Sequence, residues 1–170
     1  MRRTHSALAL LALTLAAHPT AAQEACAICL GAGETKPGEQ PLTIEIASGL
    51  VFSRMALTGG EGGSAAIDPQ SGQRSLGGGL IGLGGMSVQG RGRITGAPGK
   101  AVRIDLPRRV SMTTSTGGEA ELTDIVTDLP AYPLLDASGV LEFSFGGTLR
   151  VTGAASGKLR GRIPISVDYN

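Results

Sequence analysis

The chain has 170 residues with 15 Lys and Arg against 14 Asp and Glu, 27 glycines, 2 cysteines, 2 histidines and no tryptophan, which is one domain's worth of near-neutral, Gly-rich sequence. Such a balance lacks the basic excess a phosphate-backbone binder needs, so no nucleic-acid partner is expected. Both histidines, His5 and His18, sit in the first 22 residues.

Those residues read as a secretory signal peptide: Met1-Arg2-Arg3, an apolar run from Ala7 to Ala17, and small residues Thr20-Ala21-Ala22 before Gln23. The apolar run is short for a membrane span, which takes about 20 residues. Removing 22 residues from 170 leaves 148, with no histidine, and loss of Arg2 and Arg3 leaves 13 cations against 14 carboxylates. A Ser-His-Asp or Cys-His catalytic site then lacks its base, and a His-based zinc site lacks its ligands. The expectation is an exported protein of the periplasm, cell surface or medium, not an enzyme, with no catalytic, cofactor-binding or metal residues and no transmembrane segment in the mature chain.

Residues 23–41 follow as a flexible N-terminal segment containing Cys26-Ala27-Ile28-Cys29 and a Gly- and Pro-rich linker. In an exported chain Cys26 and Cys29 can form a local disulfide. A redox role would require a strand-to-helix setting that nothing downstream supplies, so thiol-disulfide exchange ranks third among the functional readings.

From residue 42 the pattern has period two, as in half-buried strands. Leu42, Ile44 and Ile46 alternate with Thr43 and Glu45, Leu50 to Thr58 alternates less cleanly, and Ser64 to Asp68 is a short strand before the turn Asp68-Pro69-Gln70-Ser71-Gly72. Gly77-Gly78-Gly79-Leu80-Ile81-Gly82 has the spacing of a dinucleotide-binding loop, but no helix follows to meet a phosphate, and a loop or bulged strand edge is the better reading. Met86, Val88 and Ile94 share a face across Gly90 and Gly92, and Val102, Ile104 and Leu106 repeat the scheme. Arg91/Arg93, Arg108/Arg109 and Arg160/Arg162 are assigned to solvated faces, and Asp124, Asp128, Asp136 and Glu142 to turns and surface.

Glu119 to Leu129 fits neither helix nor strand well, whereas Leu141, Phe143, Phe145, Gly147, Leu149 and Val151 form the clearest strand face. A turn over Gly153 to Gly157 leads to a terminal strand in which Leu159, Ile163, Ile165, Val167 and Tyr169 point one way, predicting a C-terminal hairpin. Many short strands punctuated by Gly and Pro predict an all-β antiparallel sandwich over residues 42–170.

Leu50-Val-Phe-Ser, Ala56-Leu-Thr-Gly59, Ile67 through Arg74, Ile94 through Gly99, Asp105-Leu-Pro107, Phe145-Gly-Gly-Thr-Leu149 and Gly157 through Asn170 together resemble the bacterial family called domain of unknown function 4402, which implies no activity. The ending also resembles that of chaperone-usher pilins, with Gly157 fourteenth from the end, alternating apolar residues and the penultimate Tyr169. That resemblance implies an immunoglobulin-like sandwich whose last strand, through Gly157, Leu159, Ile163, Ile165, Val167 and Tyr169, borders a groove filled by another subunit or a periplasmic chaperone in β-strand addition. Pro164 suits such an edge. The chain departs from pilins in its adjacent cysteines and in an N-terminal segment whose alternating apolar set is only Cys26, Ile28 and Leu30. The leading expectation is a pilin-like structural or adhesive subunit; the alternative is a stand-alone periplasmic or secreted binding domain.

Overall fold

A computed structural model describes residues 40–114, 119–152 and 157–170; the signal peptide, Cys26 and Cys29, nearly all of the linker and most of the turn expected over Gly153 to Gly157 lie outside them. The described residues form strands and connections without a helix, and every strand pairing is antiparallel.

The strands are β1 (Thr43–Ser48), β2 (Met55–Leu57), β3 (Gly63–Ile67), β4 (Arg74–Gly78), β5 (Leu80–Gly82), β6 (Gly90–Thr95), β7 (Val102–Asp105), β8 (Arg109–Thr114), β9 (Glu119–Thr127), β10 (Val140–Val151), β11 (Leu159–Arg160) and β12 (Ser166–Tyr169). Eight of them make one curled sheet in the order β1-β6-β10-β9-β8-β11, with the β3–β4 hairpin joined to β10. Two small sheets, β12–β7 and β2–β5, complete the domain.

β10 organises the large sheet. One of its edges takes β6 along Val140–Phe145 and then β3 along Gly147–Val151, and the other takes β9. β6 and β3 diverge at Gly146, where a side-chain carbon would sit 2.1 Å from the Ile67 carbonyl oxygen, so only glycine fits. The alternation read from the sequence holds: Phe143, Phe145, Leu149 and Val151 are buried on one face.

Phe143 and Phe145 stand opposite Gly92 and Gly90 of β6. A Cβ on Gly90 would lie 2.1 Å from the Phe145 ring and one on Gly92 2.5 Å from the Phe143 ring, so each ring lies over a bare glycine of the neighbouring strand. Large apolar rings thereby reach the core over a β6 face that is bare at Gly90 and Gly92 and resumes with the buried Ile94.

Two apolar clusters result. Phe52, Ala65, Ile67, Leu80, Val110, Ala120, Leu122, Ile125, Leu149 and Val151 form one; Ile94, Val102, Leu135, Phe143 and Phe145 form the other, covered by Leu42, Ile44, Ile104, Val167 and Tyr169. Leu50 and Ile163 touch both.

Several expectations need correction. The terminal segment is not one strand: β11 pairs with β8 in the large sheet, β12 pairs with β7 in a small one, and Gly161–Ile165 between them pair with neither. Pro164 has no N–H to donate and Gly161 packs its bare Cα against Met112, which suits a segment crossing between sheets. The C-terminal hairpin is likewise replaced, since both edges of β10 are taken by β3, β6 and β9. Met86 is 82% exposed and Val88 makes only an isolated bridge to Val51, so β6 begins at Gly90.

Two irregular readings have a common cause. Ser53 and Asp124 have φ of 68° and 52°, the left-handed conformation, and each shifts the inward phase of its segment. Leu50 and Phe52 are succeeded by Met55 and Leu57, and Ala120 and Leu122 by Ile125. The segment over Glu119 to Leu129 is therefore strand β9 with a bulge. β4 and β8 had not been anticipated as strands. The Gly77–Gly82 run joins β4 to β5 through Gly78 at φ 66° and Gly79, whose Cβ would meet the Thr58 carbonyl oxygen at 2.5 Å.

Phe143→Ala is expected to cost about 3–5 kcal/mol of unfolding free energy in urea titration; a loss under about 1 kcal/mol would mean that the ring is not in the core. Gly90→Ala, at a site of ordinary φ, should cost about 1–3 kcal/mol by overpacking alone, and a neutral result in the same titration would mean that the Phe145 ring is free to move aside.

Candidate functional site

An apolar groove runs between two stretches of chain, Ile46–Leu57 on one wall and Gly157–Ile165 on the other. Its wider section is a cleft of about 650 Å³ with Leu50, Phe52, Met55, Leu80, Leu149 and Val151 among its lining residues and Leu159 opposite. The narrower section, about 350 Å³, is lined by Ile46, Val110, Leu122, Phe145, Ile163 and Ile165. Leu50, Phe52 and Met112 belong to both, which makes the two sections continuous. The floor is therefore core: Phe52, Val110, Leu122, Phe145, Leu149 and Val151 are all at least nine-tenths buried. Ile46 has the face predicted for it but is 44% exposed, because it points into this uncovered stretch.

The walls are unlike ordinary sheet edges. Among the described residues, no backbone hydrogen bond involves Gly161–Ile165, which lie between the last β11 pair at Arg160 and the first β12 pair at Ser166. Opposite, Val51 gives and accepts bonds of 2.9 Å with Val88, while Gly49 and Leu50 have no backbone partner among the described residues. Gly161–Ile165 on one wall, and only Gly49 and Leu50 on the other, thus leave polar backbone unpaired beside an apolar floor, as at the edge of a sheet.

Of the terminal residues singled out in the sequence, Gly157, Leu159, Ile163 and Ile165 line the groove. Val167 and Tyr169 do not: they pack in the second cluster on β12, whose partner is β7. The Tyr169 hydroxyl accepts a hydrogen bond from the Ala97 N–H at 2.7 Å and donates one to the Gln40 carbonyl at 2.6 Å, fastening the chain end to the start of β1. The opposite wall and the floor, Leu50, Phe52 and Met112 above all, were not foreseen as parts of a site. Leu50 and Phe52 carry a signal only in retrospect, as apolar residues just before the phase break at Ser53.

The acidic residues have local partners. Glu142 pairs with Arg93, Asp124 lies 3.8 Å from Arg150, and Asp128 accepts the Ser144 N–H at 2.8 Å. Asp136 accepts from the Ser138 N–H and hydroxyl and the Val140 N–H at 2.7–2.9 Å, fixing the turn into β10; Asp68 does the same with Gln70 and Ser71 at 2.7–3.1 Å. The backbone N–H of Val140 above all, and the Ser138 donors, hold the Asp136 carboxyl below its ordinary 3.8; the Ser71 N–H and hydroxyl lower Asp68 in the same way. No cluster of three or more metal-ligating side chains occurs among the described residues.

The result is an all-antiparallel β domain with an open groove along its C-terminal segment. It belongs to a family known as a domain of unknown function, DUF4402, whose model matches residues 42–169. No curated protein and no solved structure matches the chain.

The lowered Asp68 and Asp136 pKa values give a signed pH dependence: their stabilisation is present above about 3.8 and is lost as pH falls through the lower folded-state values. Asp136→Asn should therefore narrow the difference between urea midpoints measured at neutral pH and at about pH 3. An unchanged difference would mean that the turn carboxylate is not coupled to folding.

Proposed function

We propose that this chain is an exported, non-enzymatic subunit of pilin-like, immunoglobulin-like design, structural or adhesive in role, whose fold is finished by a strand supplied by another chain. The observation that carries this reading is the groove itself, where core residues form the floor and the backbone of Gly161–Ile165 is left without partners. The apolar lining that stays exposed, Ile46, Val51 and Leu83, is costly to leave in water, and unpaired backbone at a strand edge recruits whatever strand is near. The leader-like N-terminus and the pilin-like ending with Gly157 and Tyr169 agree with it. The partners are then other subunits or a periplasmic chaperone.

A second reading, a stand-alone binding domain, draws support from the other end of the molecule. There β12, β7 and the Tyr169 hydroxyl already close the second cluster, so half the domain is complete without a partner.

Size-exclusion chromatography with light scattering separates the two. Residues 23–170, and a chain beginning at Pro41, should each be unstable or associated when purified alone and become stable monomeric complexes on addition of a strand peptide. Cooperative, thermally stable monomers that bind no added strand would defeat the subunit reading and leave the stand-alone domain.

A further inference from the structure

The charges around the groove are one-sided. Arg54 on one wall and Lys158, Arg160 and Arg162 on the other line it, and among the described residues neither section is lined by any Asp or Glu. All four cations are exposed, and the side chain of none has an ion pair or hydrogen bond among the described residues. Elsewhere on the surface Arg93, Arg103, Arg109 and Arg150 each face a carboxylate, Glu142, Asp105, Glu121 and Asp124, whereas Arg91 and Arg108 pair with none among the described residues. What sets the groove apart is four such cations with no carboxylate among its described lining residues, beside backbone that is unpaired too.

Their spacing gives the asymmetry a direction. Along the C-terminal wall Leu159, Ile163 and Ile165 are half-buried toward the groove, whereas Lys158, Arg160 and Arg162 alternate with them on the solvent side. A strand laid beside this wall turns every second side chain to the floor and the others outward, directly across from Lys158, Arg160 and Arg162. Opposite charges in that position favour pairing, and like charges oppose it.

We propose that the strand this groove accepts is acidic: an extended segment of another protein chain with apolar residues at alternate positions for the floor and Asp or Glu between them for the basic rim. The proposal rests on the strand-addition reading and adds the chemistry of the partner. The rim also excludes wrong partners, because a strand with Lys or Arg on its outward side meets three cations in a row on one wall and Arg54 across from them.

The test uses residues 23–170 and three synthetic peptides of about nine residues, the length of the wall from Gly157 to Ile165. All carry Val and Ile at alternate positions, with Glu, Thr or Lys between, and binding is followed by fluorescence anisotropy at low and high salt. The Glu peptide should bind about tenfold more tightly than the Thr peptide at low salt, with the gap shrinking at high salt, and the Lys peptide should bind weakest. Replacing both exposed arginines, Arg160→Gln with Arg162→Gln, should remove most of that gap between the Glu and Thr peptides without lowering the melting temperature. Equal binding of the Glu and Thr peptides would overturn the acidic-strand proposal and leave strand addition standing. So would a gap that survives the double substitution. Binding of none of the three would remove both.

Discussion

The fold depends on the contact of two phenylalanines with two glycines. Phe143 and Phe145 can enter the core from β10 only because Gly92 and Gly90 of β6 present no side chain beneath them. With only three phenylalanines and no tryptophan in the chain, these rings provide much of the bulk available to fill a wide, curled sheet. Once they are seated, β6 is held in register on the first half of β10, and β1 follows on the far side of β6. The second half of β10 is left for β3 and β9.

This arrangement divides the interior in two and makes the division uneven. Around Val102 and Leu135 the cover is complete, with β7, β12 and the Tyr169 hydroxyl closing it. Around Leu122 and Leu149, which are as deeply buried, the cover is two chain segments outside regular pairing: Ser53 turns one aside with its positive φ, and Pro164 and Gly161 keep the other out of a ladder. Leu50 and Ile163 stand where the closed half meets the open one. The groove is thus a consequence of where regular pairing ends on both walls, and its described rim carries cations without carboxylates.

Period-two alternation was enough to read the antiparallel β class and the buried face of β10, because those strands run without interruption. It failed where one residue changes the phase. Asp124 in the left-handed region made β9 look ambiguous, and Ser53 blurred the segment before β2. It misled at the C-terminus for the opposite reason, since Leu159 through Tyr169 keep a perfect alternation while the segment passes from one sheet to another. Alternation fixes which way a side chain points and says nothing about which neighbour the backbone has. Half of the groove was legible in Leu159, Ile163 and Ile165; the other wall and the floor come from residues distant in sequence that only the sheet order brings together.

The placement of β10 late in the chain bears on how the molecule comes into being. A ribosome delivers β1, β3, β4 and β6 well before Val140, yet β3 and β6 both register on β10 and meet no other part of the large sheet except through it, apart from the β3–β4 hairpin and the long-range β1–β6 pair. Until Val140 and the residues after it are made, the large sheet lacks the strand on which β3, β6 and β9 register. Sheets built from such distant pairings assemble slowly and expose sticky strands while they wait. A nascent chain of this kind has reason to stay unfolded, or to be held by a companion, until it is finished.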